Sequence, residues 1–332
     1  MSEALLEYIR SRQLDARITP LTPDASTREY YRLEIDGDSS IICVYPTPFP
    51  SDELHPYVDV TELFENGGIR VPRLIDVDHG LGIIRMEDVG DTVLRDHLLT
   101  LNIKEREDLL ERVISIIADI QTTTQSAKAT HSVVSQLSFD FEKLNWELEF
   151  FAEHYFTSLT NSPERLTSSA KSDLVEVASI LGGRAATVVH RDFHSANLML
   201  NGIDELVVID HQDARMGSHS YDLVSLLLDR IEEVPSRHDI ERWIEIFLAQ
   251  RTDRSLPYIS SDEFMHEFNM QSIQRCLKAI GTFSFQTAVR GKSGYTRYIR
   301  PMLRVTLSAT EELGKFVGLQ DLLKKELENQ TL

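Results

Sequence analysis

The stretch whose reading decides the fold is Val188-Val189-His190-Arg191-Asp192-Phe193-His194-Ser195-Ala196-Asn197, continued by Leu198-Met199-Leu200-Asn201 and by Leu206-Val207-Val208-Ile209-Asp210-His211-Gln212-Asp213-Ala214. The two apolar tetrads around Gly202-Ile203-Asp204-Glu205 read as a short hairpin inside a region of helical pattern. Antiparallel pairing with Leu198 opposite Ile209 is expected to set Asn197 and Asp210 side by side at the open end. Two hard oxygen donors suit Mg²⁺, which takes one or two protein groups and completes its shell with phosphate and water. Asp192 precedes Asn197 by five residues, close enough for a turn to present its carboxylate to a hydroxyl beside the metal.

Outward from this stretch the pattern divides the chain. Toward the N-terminus, Glu3–Leu14 has helical spacing (Ala4, Leu5, Tyr8, Ile9). Tyr30–Ile35 and Ile41–Tyr45 surround the turn Asp36-Gly37-Asp38 as a hairpin. A helix from about Asp52 to Asn66 stops at Gly67-Gly68, and two short strands lie near Arg73–Val77 and Leu81–Met86. From about Thr92 the apolar residues recur at helical intervals, in 109–120, 139–159, 171–181, 219–231, 238–250 and 262–288. The expected division is 1–90 as an N-terminal nucleotide-binding lobe and 91–332 as a helical lobe for catalysis and substrate, with the boundary near Glu87–Asp91.

Charge narrows the partners. The 34 Lys+Arg against 53 Asp+Glu leave a formal net charge of −19, a field that repels nucleic acid. No run of 18 apolar residues exists, and Met1–Arg12 carries Glu3 and Glu7 where a signal peptide would be apolar, so no membrane role is expected. Cys43 and Cys276 show neither metal-ligand nor disulfide spacing, which suits a reducing cytoplasm. Between Glu267 and Glu311 no acid occurs, while Arg275, Lys278, Arg290, Lys292, Arg297, Arg300 and Arg304 do. This basic island is either a solvated face balancing acids elsewhere or a site for an anionic ligand.

HRDFHSAN followed by VVIDHQDA resembles the catalytic and metal loops of the aminoglycoside phosphotransferase family, relatives of the protein kinases. The resemblance implies an α+β, protein-kinase-like bilobal fold, with a small N-terminal antiparallel β lobe bearing one helix and a large, mostly helical C-terminal lobe. It implies that Asp192 is the catalytic base, that Asn197 and Asp210 are metal ligands, and that His190 and Asp222 support the catalytic loop. A closer resemblance spans most of the chain. Pro23–Leu33 (PDASTREYYRL), Glu87–Asp91 (EDVGD), Asp210–Ala214 (DHQDA) and Gln274–Phe283 (QRCLKAIGTF) are similar, in order, to segments of bacterial anomeric kinases of N-acetylmuramate and N-acetylglucosamine.

That likeness implies an ATP- and Mg²⁺-dependent kinase of a small-molecule amino sugar in peptidoglycan recycling, a monomer or weak dimer in the cytoplasm. Kinase-like proteins hold nucleotide phosphates with a lysine on the third strand, yet Ile41–Tyr45 has none and the first lysine is Lys104. Arg28 and the backbone of Ala25, Ser26 and Thr27 are the expected replacement, with Met86 and Glu87 as further nucleotide contacts. Glu149, His194, Asp213 and Arg275 are the candidate acceptor contacts. Glu147 and Glu149 point about 200° apart on one helix, so at most one faces a groove, and the resemblance favours Glu149. Arg275 is expected to meet the lactyl carboxylate of N-acetylmuramate. The alternatives are an aminoglycoside- or choline-type kinase, whose cationic acceptor wants an acidic groove, and a nucleotide-binding pseudokinase, suggested by the missing lysine.

Overall fold

Asp36 and Gly37 both adopt left-handed backbone, φ +51° and +93°, in the computed structural model, which describes residues 2–21, 28–50, 54–202 and 205–329. Such a turn matches the twist of a tight hairpin and fixes Ile35 opposite Asp38. Among the described residues, five antiparallel strands, β1 (Arg17–Leu21), β2 (Glu29–Ile35), β3 (Asp38–Val44), β4 (Leu74–Asp78) and β5 (Ile83–Glu87), form one sheet in the order β1-β2-β3-β5-β4. The pattern conceals β1, because Pro20 interrupts it. On an edge strand a missing N–H need not cost a ladder bond.

Strand alternation sorts the sheet's two faces. Tyr31, Leu33, Ile42, Val44 and Ile83 pack with Leu5 and Tyr8 of α1 (Glu3–Ser11), while Cys43, Ile84 and Met86 pack with Tyr57 of α2 (Pro56–Asn66). The N-termini of both helices are capped, by the Ser2 hydroxyl and by the His55 ring, and Pro56 occupies the first position of α2, where an N–H is not needed.

The described residues fall into two compact units, Met1–Thr100 with Ala196–Asp213, and Leu101–Ser195 with Ala214–Leu332. The hairpin Leu198–Asn201/Glu205–Val208 thus belongs with the first hundred residues. Val208 N–H donates to the Arg70 carbonyl, Leu200 N–H donates to that of Thr92, and Met199 and Val207 share a small core with Val89. Its register differs by one residue from the expected one: Leu198 pairs with Val208. Pairing persists to Asn201 and Glu205, so Glu205 belongs to the strand rather than to the turn, and Gly202 follows the first strand at φ +64°. Ile209 therefore faces Asn197, its N–H donating to the Asn197 carbonyl at 3.0 Å, and Asp210 lies one residue beyond.

The second unit is mostly helical. The helix Ile103–Thr122 starts in a capping box of Asn102 and Glu105, and Phe141–Phe151 runs on as a π-helical segment, Ala152–Leu159. Ser261–Ala288 is its spine, buried without interruption from Met270 to Leu277, as a helix packed on all sides must be. Gly281 is required there: a Cβ would come within 2.7 Å of the Phe151 Cα. Ile299–Leu313 and Val317–Glu328 are helices that the coarse reading of the sequence did not mark. Among the described residues no helix is long and apolar enough to cross a membrane.

Candidate active site

The strand Thr187–Val189 pairs antiparallel with Arg215–Gly217 and delivers the chain into a loop at His190. Asp222, at the start of the helix Tyr221–Leu228 and fully buried, holds that loop: one carboxylate oxygen accepts the His190 N–H at 2.7 Å and the other the Arg191 N–H at 3.1 Å. Burial raises the Asp222 pKa to about 7, although both backbone donors oppose the rise. Arg191 sits at φ +85°, a region disfavoured for a side chain of its size, so the loop is held in a conformation that its own preferences would not choose.

Asp192 is the next residue, with 26% of its side chain exposed. Its Oδ1 lies 3.1 Å from Lys278 Nζ and 3.3 Å from Arg275 Nη2, and its Oδ2 is 3.7 Å from Arg191 Nε. Burial by itself would raise its pKa, but Lys278, then Arg275 and Arg191, hold the carboxyl well below the usual range. Arg275 is 2% exposed, and the same Nη2 donates to Asp229 at 2.6 Å and to Ser225 at 3.1 Å. Arg275 is therefore an internal partner of Asp192 and Asp229, and its guanidinium is not presented to a substrate carboxylate. His194 is lowered to about 4 by burial, so its ring is neutral near pH 7. Its Nδ1 has no hydrogen-bond partner among the described residues.

In the other unit, Asp210 leaves the hairpin through left-handed backbone, φ +61°, and its Oδ1 accepts from Gln212 at 2.9 Å. Arg28 Nη2 stands 3.6 Å from that same oxygen, with its guanidinium over the rings of Tyr30 and Tyr45 at 5.8 and 5.7 Å. His211, which follows Asp210, is buried. It hydrogen-bonds Thr61 Oγ1 at 2.7 Å and lies 4.7 Å from the Tyr57 ring, so this loop is fastened to α2. Asn197 and Asp210 offer hard oxygens. No group of three or more His, Cys, Asp or Glu among the described residues could hold a metal. That small donor set fits an ion that completes its shell with phosphate and water.

Met86 is buried on β5, where its sulfur accepts from Tyr57 Oη at 3.0 Å. The Glu87 carboxylate is taken up by Arg70 at 2.6 and 2.8 Å and by Arg73 at 3.2 Å. Burial alone would raise its pKa, yet the arginines bring it down to about 2. Ala25, Ser26 and Thr27 lie outside the described residues. Asp213 is half-buried. Glu147 and Glu149 do point apart. Glu147 is buried and accepts from Gln274 at 2.8 Å, whereas Glu149 is exposed, accepts from Asn145 at 2.8 Å, and lines a cavity of about 440 Å³ with Leu148, Phe156, Lys171 and Leu174.

The acid-free window Glu267–Glu311 does not form one patch. Arg275 and Lys278 serve Asp192, Arg290 covers the Phe285 ring, Arg297 pairs with Glu232, and Arg300 donates to the carbonyls of Leu327 and Asn329. Sequence reasoning missed Lys278 and Asp229 as neighbours of the site. The i, i+3 spacing of Arg275 and Lys278 was a faint signal; their carboxylate partners are 46 to 86 residues away.

Residues 17–256 match the phosphotransferase enzyme family. The N-acetylmuramate/N-acetylglucosamine kinase of Neisseria meningitidis serogroup B is 28% identical over 322 residues, covering 94% of this chain and 92% of its own. Among solved structures, Plasmodium vivax ethanolamine kinase superposes with a TM-score of 0.59 at 12% identity, over 95% of this chain and 85% of that one. A spectinomycin phosphotransferase in complex with ADP and spectinomycin gives 0.56 at 10% identity, over 98% and 99%. At such identities the likeness is one of fold, and the fold is the protein-kinase-like α+β fold of these phosphotransferases.

Proposed function

The chain belongs to the phosphotransferase enzyme family, and from that premise we propose that it is an ATP-dependent kinase phosphorylating a hydroxyl, the anomeric one, of N-acetylmuramate, N-acetylglucosamine or both. One observation carries the chemistry: Asp192, at the end of a strained loop braced by Asp222, is kept ionised by Lys278 and Arg275. The amino-sugar acceptor rests on the similarity to the Neisseria kinase along 94% of the chain. The first 90 residues serve the nucleotide and 91–332 serve catalysis and the sugar, in the cytoplasm and in the recovery of cell-wall sugars.

In this reading Asp192 accepts a hydrogen bond from the sugar hydroxyl and aims its oxygen at the γ-phosphorus. A carboxylate so far below neutral is a weak base, so it takes the proton late, once the oxygen–phosphorus bond has largely formed, as a loose transition state allows. Asn197 and Asp210 would hold Mg²⁺, which neutralises phosphate charge when bound. Arg28, beside Asp210, takes the role of the absent strand lysine together with the backbone of Ala25–Thr27. Met86 and Glu87 complete the nucleotide contacts, Glu87 through its main chain because its carboxylate is engaged. Neutral His194 offers its Nδ1, which has no partner among the described residues, to a sugar hydroxyl, and Glu149 and Asp213 are the remaining acceptor candidates.

The test is turnover of purified protein with Mg-ATP and a panel of N-acetylmuramate, N-acetylglucosamine, glucose, kanamycin and choline, with the product located by phosphorus NMR. An anomeric phosphate on an amino sugar is expected, and Asp192→Asn should lower kcat by about 100-fold or more while Mg-ATP still binds. Turnover of kanamycin or choline alone would transfer the protein to the cationic-alcohol kinases. Tight Mg-ATP binding without any turnover would make it a pseudokinase.

A further inference from the structure

Two cations approach a single oxygen of Asp192, and they are not equivalent. Arg275 is buried, and its Nη2 is shared among Asp192, Asp229 and Ser225, so it already fixes the carboxylate from behind. Lys278, one helical turn further on, is 16% exposed, and Asp192 is the one hydrogen-bond partner of its ammonium among the described residues. An ammonium has three donors, so two remain after Asp192 is served. Positioning alone would need no second cation on an oxygen that Arg275 already holds. No lysine precedes Lys104, so the sheet offers phosphate an arginine, Arg28, and the ammonium of Lys278 would add a donor from the side of Asp192.

We propose that Lys278 is a catalytic residue of the phosphoryl transfer, donating to the peripheral oxygens of the moving phosphoryl group while it stays bonded to Asp192. The proposal rests on the kinase reading above. In the step, the bond from the sugar oxygen to the γ-phosphorus forms as the bond from that phosphorus to the β,γ-bridging oxygen breaks. ADP leaves with the electron pair, the hydroxyl proton passes to Asp192 and from there to water, and Lys278 keeps its own protons. Its contribution is fixed positive charge where anionic charge must be held, which is stronger in a partly desolvated site than in water. Joined to Asp192, it also ties the orientation of the hydroxyl to that of the phosphoryl group.

Lys278→Met and Lys278→Arg, compared with the wild type, test this. Loss of one such donor is expected to lower kcat by about 100- to 1,000-fold, with KM for ATP and for the sugar within about threefold, the split expected when an interaction is made in the transition state alone. Lys278→Arg should recover at least about a tenth of wild-type kcat, because the charge returns. A pH profile adds an independent readout. Asp192 is faced by Arg191 and His194 of its own loop, by Arg275 and Lys278 of the helix Ser261–Ala288, and by Asp222. Removing Lys278 should therefore move the acid limb of kcat to higher pH, which a merely structural residue would not do. Urea titration keeps the outcomes apart if Lys278→Met is unstable, since the Arg variant then carries the comparison. Wild-type-like kcat in Lys278→Met, or a loss in both variants that follows unfolding, would overturn the proposal while the wild type still phosphorylates sugar. A wild type that binds Mg-ATP but phosphorylates nothing in the panel would remove the kinase reading, and this proposal with it.

Discussion

The Asp222 carboxylate accepts the backbone N–H of His190 at 2.7 Å across 32 residues of sequence, and with the Arg191 N–H at 3.1 Å it is fully committed to the loop that carries Asp192. A buried carboxylate is costly, and here the cost is offset by the two backbone donors that it accepts. The bond transfers the rigidity of a buried helix end to a loop whose Arg191 is strained.

Asp222 should leave a mark on stability against pH. Its folded pKa is near 7, against about 4 for an unfolded aspartate. A raised pKa means that the folded state holds the proton more tightly. The contribution is then complete below pH ~4 and is lost as pH rises through the folded value, with a slope of at most about 1.4 kcal/mol per pH unit. Urea titrations of wild type and Asp222→Asn at pH 5 and pH 8 should show the wild type's advantage shrinking at the higher pH. An advantage equal at both pH values would mean that Asp222 does not titrate in this window.

Asp210→Asn isolates the metal role. Asparagine tolerates left-handed backbone, so the φ of +61° should survive the exchange, while the ligand loses its charge. Calorimetry should record Mg-ATP affinity reduced about tenfold or more, with metal-free ATP changed by less than about twofold. Equal loss with and without magnesium would point to a structural role in the loop.

Arg28→Ala addresses the absent strand lysine. Arg28 stands 3.6 Å from Asp210 Oδ1, and a hydrogen bond to a charged group is worth about 1.5–3 kcal/mol. The expected effect is a KM for ATP raised by roughly 10- to 100-fold with the sugar KM nearly unchanged. A sugar-side effect instead would assign Arg28 to the acceptor.

Arg275→Met should be costly to the fold and indifferent to the choice of sugar. Removing one member of a buried ion pair destabilises by about 3–5 kcal/mol, here by leaving Asp229 without its 2.6 Å partner. Because Arg275 reaches the reaction through Asp192, kcat/KM should fall in the same proportion for N-acetylmuramate and N-acetylglucosamine. A selective loss on the anionic sugar would show that the guanidinium leaves Asp229 and meets the lactyl group on binding.

Local chemistry by itself determined much of this protein. The Asp36-Gly37 turn, the alternating Tyr30–Ile35 and Ile41–Tyr45, the glycines after α2 and the helical periods from 109 to 288 are short-range signals, and they specified an antiparallel sheet followed by helices. The spacing of Asp192, Asn197 and Asp210 carried the resemblance to a kinase, because a catalytic loop and a metal loop are contiguous pieces of chain. What the sequence could not decide depends on partners distant along it. The two apolar tetrads admit more than one hairpin register, and one residue moved Asp210 from opposite Asn197 to the position beyond Ile209. Whether Arg275 would face a ligand or the interior depended on Asp229, 46 residues earlier, being buried beside it. Lys278 looked like one cation of seven in an acid-free window, and packing of the helix Ser261–Ala288 set it apart at Asp192. Spacing along a chain reports which groups share a loop or a helical face, whereas the neighbours of a buried charge are set by packing, since it must find a counter-charge wherever the core places one.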